Sequence, residues 1–421
     1  MRRLTAEDIE RRERTAVDPQ TLVAAAEIVD TVRVEGESAV RFFGERFGDV
    51  SEEGALVIER PGLEDSLESL PAADRDLLER TAERIEVFAS AQRRSLSEVT
   101  LEIDGGRAGQ FIAPVGRAGC YAPGGRYPLP SSVLMTAVTA KVAGVESVVV
   151  ASPRPALVTL AAAAAAGADA VLAVGGAHAV AAMAYGFEGF DACDVVVGPG
   201  NRWVTAAKQL VSSSVGIDIL AGPSELVVLA DETANAVTVA ADLLAQAEHD
   251  PEALPVLVTT SEALAGAVEA ELDRQLIDLP TRRVAGAALE NGSIVLVPHI
   301  DAAVQVCDRL APEHLQIMTR EPEKLAAMVD HWGGLFIGGD SAEVLGDYGS
   351  GPNHTLPTGA VARYRGGLSV FDFLRIRTWL EIDDPGAARQ LTEDAVALAR
   401  LEGLEAHARA AELRLGKPRD N

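Results

Sequence analysis

The chain is short of lysine, cysteine and aromatic residues, and it has no long apolar run. Only four of its 37 basic residues are lysine (Lys141, Lys208, Lys324 and Lys417), set against 63 acidic residues, for a net charge of −26 over 421 residues. So little positive charge excludes an extended phosphate-binding face, and no nucleic-acid partner is expected. Three cysteines cannot form a disulfide framework. No apolar stretch is long enough to span a bilayer, so no membrane partner is expected. The charged opening MRRLTAEDIERRERT lacks the apolar core of a signal peptide. A reducing, cytoplasmic setting is the expectation. Also absent are GxGxxG, the Walker A loop, HExxH and GxSxG, which argues against a P-loop NTPase and a serine hydrolase.

The acidic excess itself is informative. With so few lysines it predicts adaptation to high salt, because at molar salt the Debye length falls to about 3 Å and self-repulsion is screened. A genome composition that favours arginine and alanine is the competing account.

In the middle of the chain, short β-branched runs alternate with alanine-rich stretches. VVVAS begins at Val148, VLAVGG at Val171 and VVVGPG at Val195, spaced 23 and 24 residues apart. Each interval holds one strand, a turn and a helix. LVVLAD from Leu226 reads as a fourth strand of the same pattern. Strands apolar on both faces belong to parallel sheets covered by helices. Ser131 and Ser132 are candidate caps for a helix ending at Gly144, and Asn201 for the helix WVTAAKQLV. A second α/β pattern follows, with strands at PVLVTT near 255, SIVLVP from Ser293, LQIM from Leu315 and LFIGG from Leu335. The first 110 residues read as mostly helical, with a long amphipathic helix from Pro71 to Arg94. From Asp384 onward the chain reads as a charged helical appendage.

The fold class expected is α/β: two doubly wound, incomplete Rossmann-like parallel-sheet domains with N- and C-terminal helical arms. The division expected is an arm over 1–24 and a discontinuous domain of 25–120 with 227–368. A second domain spans 121–226, and an arm spans 369–421.

Chemistry-bearing residues cluster in a few places. Four glycine-rich turns, at 121–125 (YAPGG), 175–178 (GGAH), 198–201 (GPGN) and 222–225 (GPSE), could each set backbone N–H groups beside a helix start. Together they favour a ligand crevice at the carboxyl ends of strands. Gln246 and His249 are three residues apart, which on a helix places them on one face. An imidazole and an amide oxygen suit a borderline divalent metal, but an exposed polar face has the same spacing. Glu313 and His314 are adjacent in APEHLQI. A carboxylate and an imidazole can divide proton transfers, provided an irregular turn lets both face one site. Asp347 and His354 share the loop GDYGSGPNH, and Glu402 precedes His407 in LEGLEAH. His299 and His331 read as structural.

The segments AGPSELVVLAD, DLLAQAEHD, APEHLQI, GDYGSGPNHTLPT and LEGLEAH, in this order, resemble the L-histidinol dehydrogenase family along nearly the whole chain. The resemblance implies NAD-dependent oxidation of L-histidinol to L-histidine in two steps through an aldehyde, the last step of histidine biosynthesis, with one Zn2+ per subunit. It implies Gln246, His249, Asp347 and His407 as zinc ligands, and Glu313 and His314 as the acid/base pair. Ser224, Gln246, His249, His314, Asp347, His354, Glu402 and His407 would meet the substrate. Tyr121, His178 and Asn201 would meet NAD, with His178 standing where the family most often has glutamine. The C-terminal arm would cross to a second copy, so that His407 and Glu402 act within a homodimer.

The same residues admit other readings. A zinc-dependent dehydrogenase of a sulfonated diol on the same scaffold would share the metal motif, although Glu402 would repel a sulfonate. A thioester-forming aldehyde dehydrogenase needs an activated cysteine, for which Cys120 (near Arg117), Cys193 and Cys307 are the candidates. A non-catalytic binding protein would not need Glu313 and His314.

Overall fold

The computed structural model describes residues 1–9, 17–124 and 127–415. Part of the expected N-terminal arm, together with Gly125 and Lys417, lies outside the described residues. The chain forms two compact units, one of Met1–Arg93 with Val115–Phe373, the other of Arg94–Pro114 with Leu374–Asn421.

The larger unit contains two six-stranded sheets. In the first, all strands are parallel and run in the order Arg2–Thr5, Ser293–Leu296, Leu254–Thr259, Glu225–Ala230, His314–Met318, Gly334–Ile337. Alternation along its central strand shows why this sheet is covered twice. Leu226, Val228 and Ala230 join one buried cluster, with helices Ala236–Ala247 and Glu262–Leu276. Val227 and Leu229 join another, with helix Ile300–Leu310. A strand buried on both faces must be apolar at every position, as ELVVLA nearly is.

The second sheet runs Val57–Glu59, Ala170–Leu172, Ser147–Ala151, Arg117–Tyr121, Val195–Val197, Gly216–Ile217, parallel except for its first pair. Its strand order reverses between Arg117–Tyr121 and Val195–Val197. That reversal opens a crevice beyond the carboxyl ends of those two strands. Gly198 follows directly, at φ 111°, and a Cβ there would lie 2.1 Å from the Tyr121 carbonyl oxygen. Only glycine lets the two strand ends approach this closely.

The α/β class of parallel sheets with helical cover is as expected, but several local expectations need correction. LVVLAD belongs to the first sheet, not with the strands at 148, 171 and 195. Residues 57–59 and 117–121 pair with the middle strands, so the sheet of 121–226 draws on the 25–120 segment that had been joined to 227–368. Arg2–Thr5, expected in a helical arm, is an edge strand beside Ser293–Leu296, its charges tolerated by exposure. Helix Pro130–Ala143 starts at its proline after Leu129, so Ser131 and Ser132 lie inside it and cap nothing; Gly144 ends it in the left-handed conformation as expected. Asn201 caps helix Arg202–Val211, accepting from the N–H groups of Trp203 and Val204.

The smaller unit holds an antiparallel three-stranded sheet. Leu374–Ile382 pairs with Gly106–Pro114, which pairs with Val99–Ile103. Helices Arg389–Leu401 and Glu405–Leu415 pack on each other. The C-terminal segment is therefore a strand followed by two helices.

Candidate active site

The amino ends of the first sheet's strands bring the chemistry together. His314 opens its strand, opposite Leu226 on one side and Gly334 on the other. Glu313 stands just before it, and Glu225 opens the neighbouring strand. Helix Ala236–Ala247 runs antiparallel to these strands and delivers Gln246 in its last turn, with His249 just beyond its end. The five-residue helix Glu343–Asp347 presents Glu343 and Asp347 four residues apart, on one face. The loop after it carries His354.

Hydrogen bonds fix both imidazoles. His314 Nδ1 lies 2.9 Å from the Glu225 carbonyl oxygen. A carbonyl only accepts, so Nδ1 carries the hydrogen and Nε2 keeps its lone pair. The Glu225 N–H donates to Glu313 Oε2 at 2.8 Å, and that oxygen stands 3.6 Å from His314 Nδ1. One residue of backbone thus orients both members of the Glu313–His314 pair. His354 Nδ1 donates to the Asp347 carbonyl oxygen at 3.0 Å, which leaves its Nε2 buried and unpartnered. His249 Nε2 is 3.5 Å from Asp347 Oδ2, and His314 Nε2 is 3.7 Å from Glu343 Oε1.

Burial sets most of the charge states. It pushes His314 down to about 4, so the ring is neutral at pH 7. It lowers His354 as well. It raises the Glu313 carboxyl well above the carboxylate range, against the N–H bond from Glu225. It raises Glu343 too, with the Asp347 charge adding to the effect. Asp347 is also penalised by burial, but the His249 hydrogen bond and the surrounding imidazoles outweigh this and hold it low. That same bond raises His249.

These groups include a set able to hold a metal. Ligand atoms of His249, Glu343 and Asp347 all lie within 4.8 Å of one another. Gln246 is fully buried with neither amide atom hydrogen-bonded, and both Glu343 carboxylate oxygens are buried and unpartnered. Buried polar atoms left unpaired are costly, and a divalent cation would satisfy an amide oxygen, an imidazole and carboxylates at once. The donor set fits zinc.

A cavity of about 1670 Å³ opens at the carboxyl ends of the second sheet, lined by Tyr121, Gly175, Gly176, His178 and Asn201 and reaching His249 and Tyr348. Small-molecule sites commonly measure roughly 300–1,000 Å³, so this one has room for a dinucleotide beside a small substrate. The Tyr121 hydroxyl accepts from the Gly176 N–H at 3.1 Å, and Asp49 Oδ2 accepts from the Gly175 N–H at 2.9 Å. Both meet the start of helix Gly176–Tyr185. Buried His178 places Nε2 3.3 Å from the same Asp49 oxygen.

The structure therefore gathers Glu313, His314, Gln246, His249, Asp347 and His354 at the amino ends of one sheet's strands, with Ser224 immediately before Glu225. It sets Tyr121, His178 and Asn201 around the crevice. Glu402 and His407 belong to the smaller unit, where both are exposed. The turn at 222–225 leads into a strand at its amino end, not into a helix as expected. Glu343 and Asp49 were missed by the sequence reading. The four-residue spacing of Glu343 and Asp347 was the available signal for the first; Asp49 had none. Cys120, Cys193 and Cys307 are buried, and burial raises all three thiols far from a reactive thiolate. That disposes of the thioester reading.

Comparison with known proteins agrees. The family model described as histidinol dehydrogenase matches residues 10–415. The chain is 46% identical over 402 residues to the histidinol dehydrogenase of Thermus thermophilus, covering 94% of this chain and 95% of that one. It is 45% identical to that of Geobacillus kaustophilus, covering 94% of both. The crystal structure of histidinol dehydrogenase from Elizabethkingia anophelis superposes with a TM-score of 0.89 at 30% identity, over 97% of this chain and 94% of that one. None of these supports a sulfonated-diol substrate. The chain belongs to the histidinol dehydrogenase family of oxidoreductases.

Proposed function

We propose that the protein performs the four-electron oxidation of L-histidinol to L-histidine through L-histidinaldehyde, with NAD as oxidant and one zinc ion per subunit. The observation that carries this reading is His314: a neutral imidazole whose Nδ1–H is tied to a backbone carbonyl, with Nε2 facing the cluster of His249, Glu343 and Asp347. Such a ring is ready to accept the hydroxyl proton as hydride leaves the alcohol carbon. The second oxidation requires water to add to the aldehyde. Glu313, whose raised affinity for protons makes it a stronger base once ionised, would take the proton from that water. Each half-reaction releases one hydride, and the added oxygen comes from water.

Gln246, His249 and Asp347, with His407 of the partner subunit, would hold the zinc, which would bind and orient the substrate's amine and imidazole nitrogens. Ser224 and His354 would contact the substrate from this chain and Glu402 from the partner, whose carboxylate suits an ammonium group. Tyr121, His178 and Asn201 would line the dinucleotide site, where NAD supplies the hydride acceptor. A homodimer completed by exchanged C-terminal segments and a cytoplasmic setting belong to the same reading.

The test is stoichiometric. Two NADH formed for each histidinol consumed, with histidine as product, is the expected result. One NADH per substrate with aldehyde accumulating would overturn the four-electron reading.

A further inference from the structure

Glu343 has no role in the ligand set above, yet it is the most deeply enclosed acid of the site. Its side chain is fully buried, and neither carboxylate oxygen meets a hydrogen-bond donor. It lies on the same face of the short helix as Asp347, and one of its oxygens lies within 4.8 Å of ligand atoms of both His249 and Asp347. Donor atoms about 2 Å from a zinc ion stand roughly 3.3 Å from one another. His249 Nε2 and Asp347 Oδ2, at 3.5 Å, already have that separation. Gln246, also fully buried, has its amide oxygen free. All four residues belong to the larger unit.

Resting on the zinc reading above, we propose that Glu343 is a metal donor, completing with Gln246, His249 and Asp347 a one-chain site that holds a divalent cation before His407 of the partner subunit is added. An imidazole, an amide oxygen and two carboxylates form an oxygen-rich set that suits zinc and also cobalt. Two carboxyls on one helical face, with little water to screen them, cannot both ionise unless a cation lies between them; without it one keeps its proton. A buried carboxylate without a donor has its natural counter-charge in that cation. The partner's histidine then adds to a site that already contains its metal, so metal retention and subunit assembly are separable.

The experiment measures zinc content after desalting, and zinc affinity by competition with a chromophoric chelator, on four variants of the full chain. His407→Ala is expected to retain close to one zinc per chain. Glu343→Gln, which keeps the shape, is expected to weaken zinc at least tenfold alone, and to empty the site when combined with His407→Ala. His249→Ala should lose the metal in every case. Unchanged zinc affinity in Glu343→Gln, with loss in His249→Ala, would overturn the role of Glu343 and leave the zinc reading standing. Zinc retained by His249→Ala would overturn both. A second readout guards against a folding defect. Without metal, Glu343→Gln should melt no lower than the parent, because it replaces a buried carboxyl that has no hydrogen-bond partner with an amide of the same shape, while its zinc-induced rise in Tm shrinks. In the cobalt-loaded His407→Ala protein, visible absorption should change on adding Glu343→Gln; an unchanged spectrum would overturn the proposal.

Discussion

His314 shows how one residue's surroundings set its chemistry. Burial lowers it to about 4, so it is protonated only in acid. As a base it must be neutral, and it remains so throughout pH 5–8. If it is the proton acceptor, the acid limb of kcat/KM that it causes should fall below about pH 5; a limb near 6.5 that vanishes in a His314 variant would contradict this. The same shift bears on stability, and its sign can be worked out. The folded ring titrates below the unfolded value of about 6.5, so between pH 4 and 6.5 the unfolded chain binds more protons. The stability held at pH 7 is therefore lost as pH falls through that window, by roughly 3 kcal/mol for this group. Glu313, shifted upward by burial, acts with the opposite sign: its contribution declines as pH rises from the ordinary carboxylate value. His314→Gln separates the two. It should lower kcat by about 10²–10⁴, and its Tm should depend less on pH between 6.5 and 4 than that of the parent.

Among the elements, the turn at 198–201 is held by a buried ion pair. Lys208, on helix Arg202–Val211, bonds Asp218 at 2.5 Å and the Gly198 carbonyl oxygen at 2.6 Å, while Asp218 accepts from the Gly198 N–H at 2.7 Å. Lysine and aspartate are both almost wholly buried. Lys208→Met would strand the Asp218 charge and is expected to cost about 3–5 kcal/mol, read from the urea midpoint. Adding Asp218→Leu should restore only part of the loss, because the Gly198 N–H stays unpaired; full recovery would show that the turn does not depend on the pair. Both variants should also weaken the proposed NAD binding, since Asn201 ends that turn. Elements of this kind differed in how plainly the sequence announced them. VVVAS, VLAVGG and SIVLVP were legible because strands buried on both faces need continuous β-branched residues. RAGCY was not: the central strand Arg117–Tyr121 uses small residues because helix Gly176–Tyr185 presses on it, where a Cβ on Gly119 would lie 2.6 Å from Met183 Sδ. LRIRTWLEI alternates in apolar and polar residues as a strand should, but its partner lies 260 or more residues earlier in the chain, a pairing that local pattern cannot reveal. In the site, Glu313, His314, His249 and Asp347 were legible as residue types in recognisable segments. Glu343 was hidden because a five-residue helix between glycine-rich loops gives too little periodicity to mark its face.

For the molecule as a whole the dominant feature is charge. A net −26 cannot be offset by the ion pairs present, because most are exposed, as Arg320–Glu232 and Lys324–Glu321 are, and pairs of that kind contribute about 0–1 kcal/mol each. The remaining carboxylates repel across the surface. In dilute buffer, with a Debye length near 10 Å at 0.1 M, that repulsion reaches neighbouring groups; at molar salt it is cut to about 3 Å. An arginine-rich genome would account for the scarcity of lysine but not for the excess of acid, and we propose adaptation to high salt for the latter. Tm should therefore rise as KCl goes from 0.05 to 1 M, and the shape of the rise identifies its cause. Screening acts steeply at first and levels off once the Debye length is shorter than the spacing between charges, whereas strengthened apolar burial by excluded salts keeps growing with concentration. A steep early rise that then flattens, absent when sucrose replaces KCl, is the expected result. A flat Tm, or a rise linear throughout and matched by sucrose, would remove the charge-based explanation.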